Sequence, residues 1–267
     1  MIKTILSNRK LIATLAKNDF RKKYAGSYLG TIWAFIQPVV TVLVYWFVFG
    51  MALKPNAIKT AESLSVPFVL WLVAGLIPWF FFSEALNGTT NSLVEYSYLV
   101  KKVVFNIDIL PIVKLVSALF IHVFFILFAV VLYLCYGFAP SLYWLQVIYY
   151  SIAMIFLVAG LGYITSSIVL FFRDLSQIIN IGLQVLVWGT PIMWQFGTIA
   201  FPGVVNFILK LNPMFYVVQG YRDAFIDHVW FWERGGMTIY YWALTIVLCF
   251  IGGHLFKKLK SQFADVI

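Results

Sequence analysis

Long apolar runs dominate the chain, and charged residues gather between them. A membrane-spanning helix needs about 20 mainly apolar residues. Six runs approach or exceed that length: 31–53, 66–88, 109–136, 142–172, 175–194 and 237–256. Glu84 and Lys114 are the acid and the base inside them, each read as lying near one end of its span, where a long side chain can snorkel. Three other stretches carry apolar periodicity without a span. In 3–20, Ile5, Leu11, Ile12, Leu15 and Ala16 share one helical face, and Lys3, Lys10 and Lys17 share the opposite one. That pattern predicts an amphipathic helix lying on the membrane surface. In 91–108, Leu93, Tyr96, Leu99, Val100, Val103 and Val104 recur at helical spacing. A helix there would expose apolar residues unless a partner or the headgroups covered them. The 195–234 stretch stays apolar but is broken by Pro202 and Pro213, which predicts a re-entrant pair of short helices.

Composition turns this pattern into a class. Of 267 residues, 63% are hydrophobic and 11% charged, and mean hydropathy is +0.93. Soluble domains carry about 25% charged residues. The chain therefore reads as an all-α integral membrane protein, not a soluble enzyme or a nucleic-acid-binding domain. The net charge of +9 follows topology. Fourteen Lys and Arg flank one side of the six runs, seven of them before residue 31, and five flank the other. The positive-inside rule then places both termini in the cytoplasm. The N-terminal stretch reads as no cleavable signal, because its apolar run is too long and lacks a cleavage site.

Sequence motifs for chemistry are few. Gly is nowhere followed by Lys, so no P-loop is present and the chain is not expected to hydrolyse ATP itself. Cys135 and Cys249 sit inside apolar runs and give neither a disulfide framework nor metal spacing. Asp223, Asp227 and His228 form the one enzyme-like group. They allow a membrane-embedded glycan or lipid transferase, or they serve helix ends and Arg222. Aromatics make up 19% of the chain. Trp79, Trp144 and Trp230 to Trp232 suit interfacial belts. Trp33, Tyr45, Trp46, Trp71 and Trp188 lie deeper, either packing against lipid or walling a conduit for sugar. Gly26 with Gly30, and Gly162 with Ser166, have the spacing of close helix contacts.

An ordered set of segments resembles one family. Asp19-Phe20-Arg21-Lys22-Lys23-Tyr24, then Gly26-Ser27-Tyr28-Leu29-Gly30 and Trp33-Ala34-Phe35-Ile36-Gln37-Pro38, is similar to the N-terminal signature of polysaccharide-export permeases. These are the membrane subunits of type-2 ATP-binding-cassette exporters. Tyr45-Trp46-Phe47-Val48-Phe49-Gly50, Gly75-Leu76-Ile77-Pro78-Trp79, Leu99-Val100-Lys101-Lys102 through Ile109-Leu110-Pro111, Phe172-Arg173-Asp174-Leu175, Thr190-Pro191-Ile192-Met193-Trp194 and Asn212-Pro213 continue the series in order. Asn106 departs from it, since the family often has Pro there; the shape of that loop is what the departure puts in question.

The resemblance implies a homodimer that docks two copies of a nucleotide-binding subunit, which would carry the ATP and Mg; this chain itself would hold no cofactor and no metal. It implies an interface helix over 1–30 ahead of a six-span domain over 31–267, with a coupling helix at 91–108 and extracytoplasmic gate helices at 195–234. Partner docking would fall to Asp19, Arg21, Tyr24, Tyr96, Leu99, Val100, Lys101 and Val103. Arg21, Lys101 and Arg173 would meet a lipid diphosphate or form the cytoplasmic gate. Trp33, Tyr45, Trp46, Trp188 and Trp194 would line the conduit. Asn212, Pro213, Tyr216, Tyr221 and Arg222 would form the outer gate. The expected substrate is an undecaprenyl-diphosphate-linked polysaccharide, O-antigen first, with wall teichoic acid or capsule as the alternatives. The expected place is the inner membrane, among membrane lipid and with no nucleic acid.

Overall fold

The computed structural model describes residues 2–52, 58–59, 65–101, 105–197 and 201–266. It is helical apart from a two-residue antiparallel ladder, β1 (Ile58–Lys59) with β2 (Ser65–Val66). The helices are α1 (Ile2–Ser7), α2 (Arg9–Lys23), α3 (Trp33–Tyr45), α4 (Phe68–Glu95), α5 (Ser97–Val100) and α6 (Leu110–Cys135). They continue with α7 (Gln146–Val169), α8 (Leu175–Gly189), α9 (Gly203–Leu211), α10 (Pro213–Arg222), α11 (Gly235–Leu259) and α12 (Phe263–Val266). A π-helical segment, Trp46–Ala52, extends α3.

The hub is α4. Every residue from Val69 to Trp79 is buried, with α6, α7, α8 and α10 packed around the helix. A helix that is apolar all round belongs in such a position. Hydrogen bonds fix the directions of its neighbours. Tyr133, late in α6, donates to the Leu70 carbonyl at the start of α4 (2.9 Å), while Lys114, early in α6, meets Glu95 at its end (2.5 Å). Tyr163, late in α7, donates to the Asp108 carbonyl (2.7 Å), and Lys260 beyond α11 reaches the Asp108 carboxylate (2.5 Å). The amphipathic α2 and the C-terminal tail therefore share one end of the bundle, here called the inner end.

Among the described residues, five helical stretches are long and apolar enough to cross a membrane: Gly30–Val48, Phe68–Glu95, Ile107–Cys135, Leu142–Val169 and Gly235–Gln262. The fifth of the six expected spans, 175–194, needs correction. As a helix it is Leu175–Gly189, 15 residues or about 22 Å, below spanning length on its own. Thr190-Pro191 ends it. Still, Ser176 at its foot bonds Asn91 (2.7 Å), and the Ile192 carbonyl beyond its top meets Arg222 beside Gly75. The 175–192 segment thus follows α4 from the level of Asn91 to the level of Gly75.

Two further boundaries differ from expectation. The amphipathic helix is interrupted at Asn8, and its Ile12 and Ala16 pack on Ile109 and Val113 of the helix beneath. The second span does not stop at residue 88; α4 runs on to Glu95, so Glu84 lies well inside it, not near its end. Of the glycines, Gly162 packs as its spacing suggested, against Thr89. Gly26 (φ +91) and Gly30 (φ +54) instead turn the chain between α2 and α3, in left-handed backbone that Gly tolerates best. Gly160 and Gly252 let the backbones of α7 and α11 meet directly.

A Cβ on Gly252 would lie 2.6 Å from the Gly160 carbonyl. Gly252→Val is expected to destabilise the chain by about 1–3 kcal/mol. Gly182→Ala, where a Cβ meets nothing, should be neutral or slightly stabilising. Thermal unfolding of the detergent-solubilised chain separates the two.

Candidate functional site

The inner end carries a cluster of charges around α2. Asp19 follows Ala16 by three residues, so it shares the face that α2 turns to the bundle. It accepts from Tyr96 Oη (2.8 Å) and from Lys114 Nζ (2.6 Å). Lys114 also reaches Glu95 and lies 5.3 Å over the Tyr96 ring. Only 10% of the Lys114 side chain and 12% of that of Asp19 are exposed, so each needs its partner. Nearby, Lys23 pairs with Glu84. Burial alone would lower the Lys23 pKa, but the Glu84 carboxylate outweighs it and holds the ammonium above its usual value. These groups border a cleft of about 370 Å³ between α2, α4 and α6.

The other residues expected to dock a partner divide by exposure. Arg21 and Lys101 are exposed, Tyr24 and Leu99 partly so, and Val103 lies outside the described residues. Burial pushes the Tyr24 hydroxyl above its usual pKa. Val100 is buried beside Leu93, Tyr163, Phe256 and Phe263, within its own chain. The apolar side chain that α5 presents outward is Tyr98, 53% exposed. Arg173 is exposed in the turn between α7 and α8, at the same end.

At the outer end, Asn212 caps α10, accepting from the Met214 amide (3.0 Å) and donating to Thr190 (2.8 Å). Pro213 occupies the first helical turn, where no backbone donor is missed. Tyr216 bonds Tyr149 and Thr238, both at 3.0 Å. Tyr221 bonds Ser151 (2.7 Å) and His122 (3.0 Å), tying α10 to α7 and α6. Arg222 is fully buried. Its guanidinium donates to the carbonyls of Pro191 (2.6 Å), Ile192 (2.9 Å) and Trp71 (3.5 Å), and lies 3.4 Å over the Trp71 ring. Asp223, read from sequence as an acid that could serve Arg222, pairs with Arg234 instead and also accepts from Gln219. It is wholly withdrawn from solvent, which suits structure better than catalysis. His228 adopts a left-handed conformation (φ 51) and stacks on Tyr143.

The flank of the bundle holds a third feature. Gln177, Asn180, Gln184 and Trp188 recur at helical spacing on α8; both Gln and Trp188 are exposed and Asn180 partly so. On α3, Trp33 and Gln37 are exposed. Tyr45 and Trp46 pack against the core instead, and the partly buried Trp194 donates to the Trp188 carbonyl (3.0 Å). A row of amides does not face hydrocarbon comfortably.

The model of the ABC-2 type transporter family matches residues 10–226. This chain belongs to that family. Similar proteins align over nearly their whole length with this ABC-2 membrane protein. The O-antigen export system permease protein RfbA of Klebsiella pneumoniae is 26% identical over 259 residues, covering 96% of this chain and 95% of the relative. The protein of the same name from Myxococcus xanthus is 27% identical over 270 residues, covering 100% and 99%. The polysialic acid transport protein KpsM of Escherichia coli is 25% identical over 248 residues, covering 92% of each.

Sequence reasoning missed the pairing of Asp19 with Lys114, the depth of Glu84 and the role of Arg234. Lys114 did carry a signal, as a charge within an apolar run. Asp19→Ala should loosen α2 from the bundle, because it removes the bonds from Tyr96 and Lys114 and leaves Lys114 only the half-exposed Glu95, at a cost of about 2–3 kcal/mol. Tyr96→Phe, which loses one hydrogen bond, should cost about 1 kcal/mol. Proteolysis of α2 in the detergent-solubilised chain ranks the two. Arg222→Lys cannot span three carbonyls and stack on Trp71, and should lower the melting temperature more than Tyr96→Phe does.

Proposed function

We propose that two copies of this chain form the membrane path of an ATP-driven exporter of lipid-linked polysaccharide, O-antigen in the first instance. The observation that carries this reading is the uncovered polar and aromatic row Gln177, Asn180, Gln184 and Trp188 in a chain otherwise suited to lipid. Facing the same row of a second copy, with Trp33 and Gln37 of α3 beside it, such a surface would wall a hydrated conduit. Amides and aromatic rings suit a glycan, which has hydroxyl edges and apolar C–H faces. The length of the match to O-antigen export permeases supports the same substrate class. The similarity to polysialic acid transport proteins keeps a capsular polysaccharide as the second reading.

In this reading 175–192 acts as the sixth crossing, and both termini lie in the cytoplasm. Two nucleotide-binding subunits dock at the inner end, against α2 and α5, and supply the ATP hydrolysis. Exposed Arg21, Lys101 and Arg173 ring that end and meet either the subunits or the undecaprenyl diphosphate. The link from Asp19 to Tyr96 and Lys114 passes their movement into α4 and α6. At the outer end α9 and α10 cover the exit.

Deleting the gene should remove long-chain surface polysaccharide, and restoration should require both this chain and an intact ATPase; unchanged surface polysaccharide would sink the reading. Tyr98→Asp with Lys101→Glu should weaken copurification of the ATPase at least about tenfold, or 1.4 kcal/mol, without unfolding the bundle. Val100→Asp places a charge inside the chain and should lower the yield of folded protein instead.

A further inference from the structure

We propose that the cleft between α2, α4 and α6 is a saccharide-binding site that holds one or two sugar residues of the exported glycan at the foot of the conduit. It rests on the polysaccharide-export reading. Glu84, Asn87, Asn91 and Glu95 recur every three or four residues along the inner half of α4, so they make one polar face. That face is about 16 Å long. A carboxylate so far inside a membrane helix is costly unless water, protein or a polar ligand covers it.

The chemistry of the cleft selects the ligand. Its buried cation is already paired: Lys114 lies between Asp19 and Glu95. Lys23 is held by Glu84. A phosphate would have to displace a carboxylate from one of these two lysines or rely on Lys22 alone, the exposed lysine that also lines the cleft. A neutral ligand with many hydroxyls need not. Each carboxylate has about four lone-pair sites, and the lysines use only some of them. Asn91 spends its amide on the Asn87 carbonyl (3.0 Å) and its oxygen on Ser176 (2.7 Å). The side-chain amide of Asn87 also lines the cleft, and it makes no hydrogen bond among the described residues. It offers one donor group and one acceptor, the pairing that a sugar's vicinal hydroxyls take up.

Size and place agree. About 370 Å³ falls near the lower end of the usual range for small-ligand pockets, about 300–1,000 Å³. The Asn91–Ser176 bond joins the cleft to the base of α8, where the row of Gln177, Asn180 and Gln184 begins. A sugar bound here would stand at the lower edge of the proposed conduit wall.

The test uses the full chain in nanodiscs. The probe is a set of lipid-free oligosaccharides released by mild acid from the producing cell's own surface glycans, read by saturation-transfer NMR. The wild type should transfer saturation to sugar protons. Gly88→Leu should bind at least about tenfold more weakly. A Cβ at Gly88 would lie 3.5 Å from Lys114 Cβ, so the longer side chain fills the cleft without striking backbone. Asn87→Ala, a plain truncation on the cleft wall, should weaken binding while the melting temperature stays unchanged. Absence of transfer to the wild type overturns the proposal, and so does equal transfer to both variants. Displacement of the wild-type signal by inorganic diphosphate alone, at the concentration of the sugar, also overturns it in favour of an anion site. Failure of the export reading registers elsewhere, as unaltered surface polysaccharide in the deletion strain.

Discussion

The burial of α4 is the constraint around which the other helices are arranged. A helix 28 residues long, buried without a break from Val69 to Trp79, needs protein on every side over that stretch. α6, α7, α8 and α10 supply it. Their approach is close because α4 and its neighbours carry small residues at the contacts. At Gly75 a Cβ would sit 2.9 Å from the Arg222 guanidinium, and at Gly162 one would sit 2.6 Å from Thr89. Close backbone approach replaces the hydrophobic drive that lipid removes. The same helix is tied at its inner end to α2, through Tyr96 and Asp19, and at its outer end to α10, through Trp71 and Arg222. One element therefore connects the surface proposed for docking with the segment proposed as gate.

The two ties differ in kind. At the inner end, lysines face carboxylates across a cleft, and Glu95 and Lys23 are about half exposed. Water screens the Lys23–Glu84 pair and the Glu95 side of Lys114, and these can exchange partners at modest cost, while Lys114–Asp19 is the buried member of the set. At the outer end, no carboxylate among the described residues forms an ion pair with Arg222; backbone carbonyls and an indole face satisfy it, and it is fully buried. Exchanging that set would mean moving Thr190-Pro191-Ile192 as a unit. The inner end is thus built for rearrangement, and the outer end for holding α8, α10 and α4 in register.

Much of this architecture was legible in the sequence, because apolar runs report spans directly. The runs behind α3, α4, α6, α7 and α11 emerge as long helices, and the clustering of Lys and Arg placed both termini at one end. Family membership was also legible, from short motifs in a fixed order. The extension of α4 was not. The span reads as ending at 88, with a separate amphipathic helix over 91–108, yet Thr89, Thr90 and Ser92 return their hydroxyls to backbone carbonyls one turn back, and the helix continues. The partner of Arg222 was hidden for a different reason. Its acceptors are carbonyls, which every residue has, so no side-chain pattern could announce them. Val100 shows a third limit. Helical spacing placed it on an apolar face, but spacing does not say whether that face meets another protein or the chain's own core.

In the export reading proposed above, the polar surfaces divide the labour of moving a polymer. A conduit must hold its cargo weakly enough to let it slide, and a mouth must hold it long enough to start. The row on α8 is made of amides and an indole, without charge. A hydrogen bond between neutral groups nets only about 0.5–1.5 kcal/mol, so a glycan can exchange one amide for the next with little loss. Of these two surfaces only the cleft at the inner end is charged, and there Glu84, Glu95 and Asp19 offer acceptors about twice as strong. The gradient from charged mouth to neutral wall points outward. Directed passage then needs only that the inner end, the part tied to α2, be the part that ATP moves.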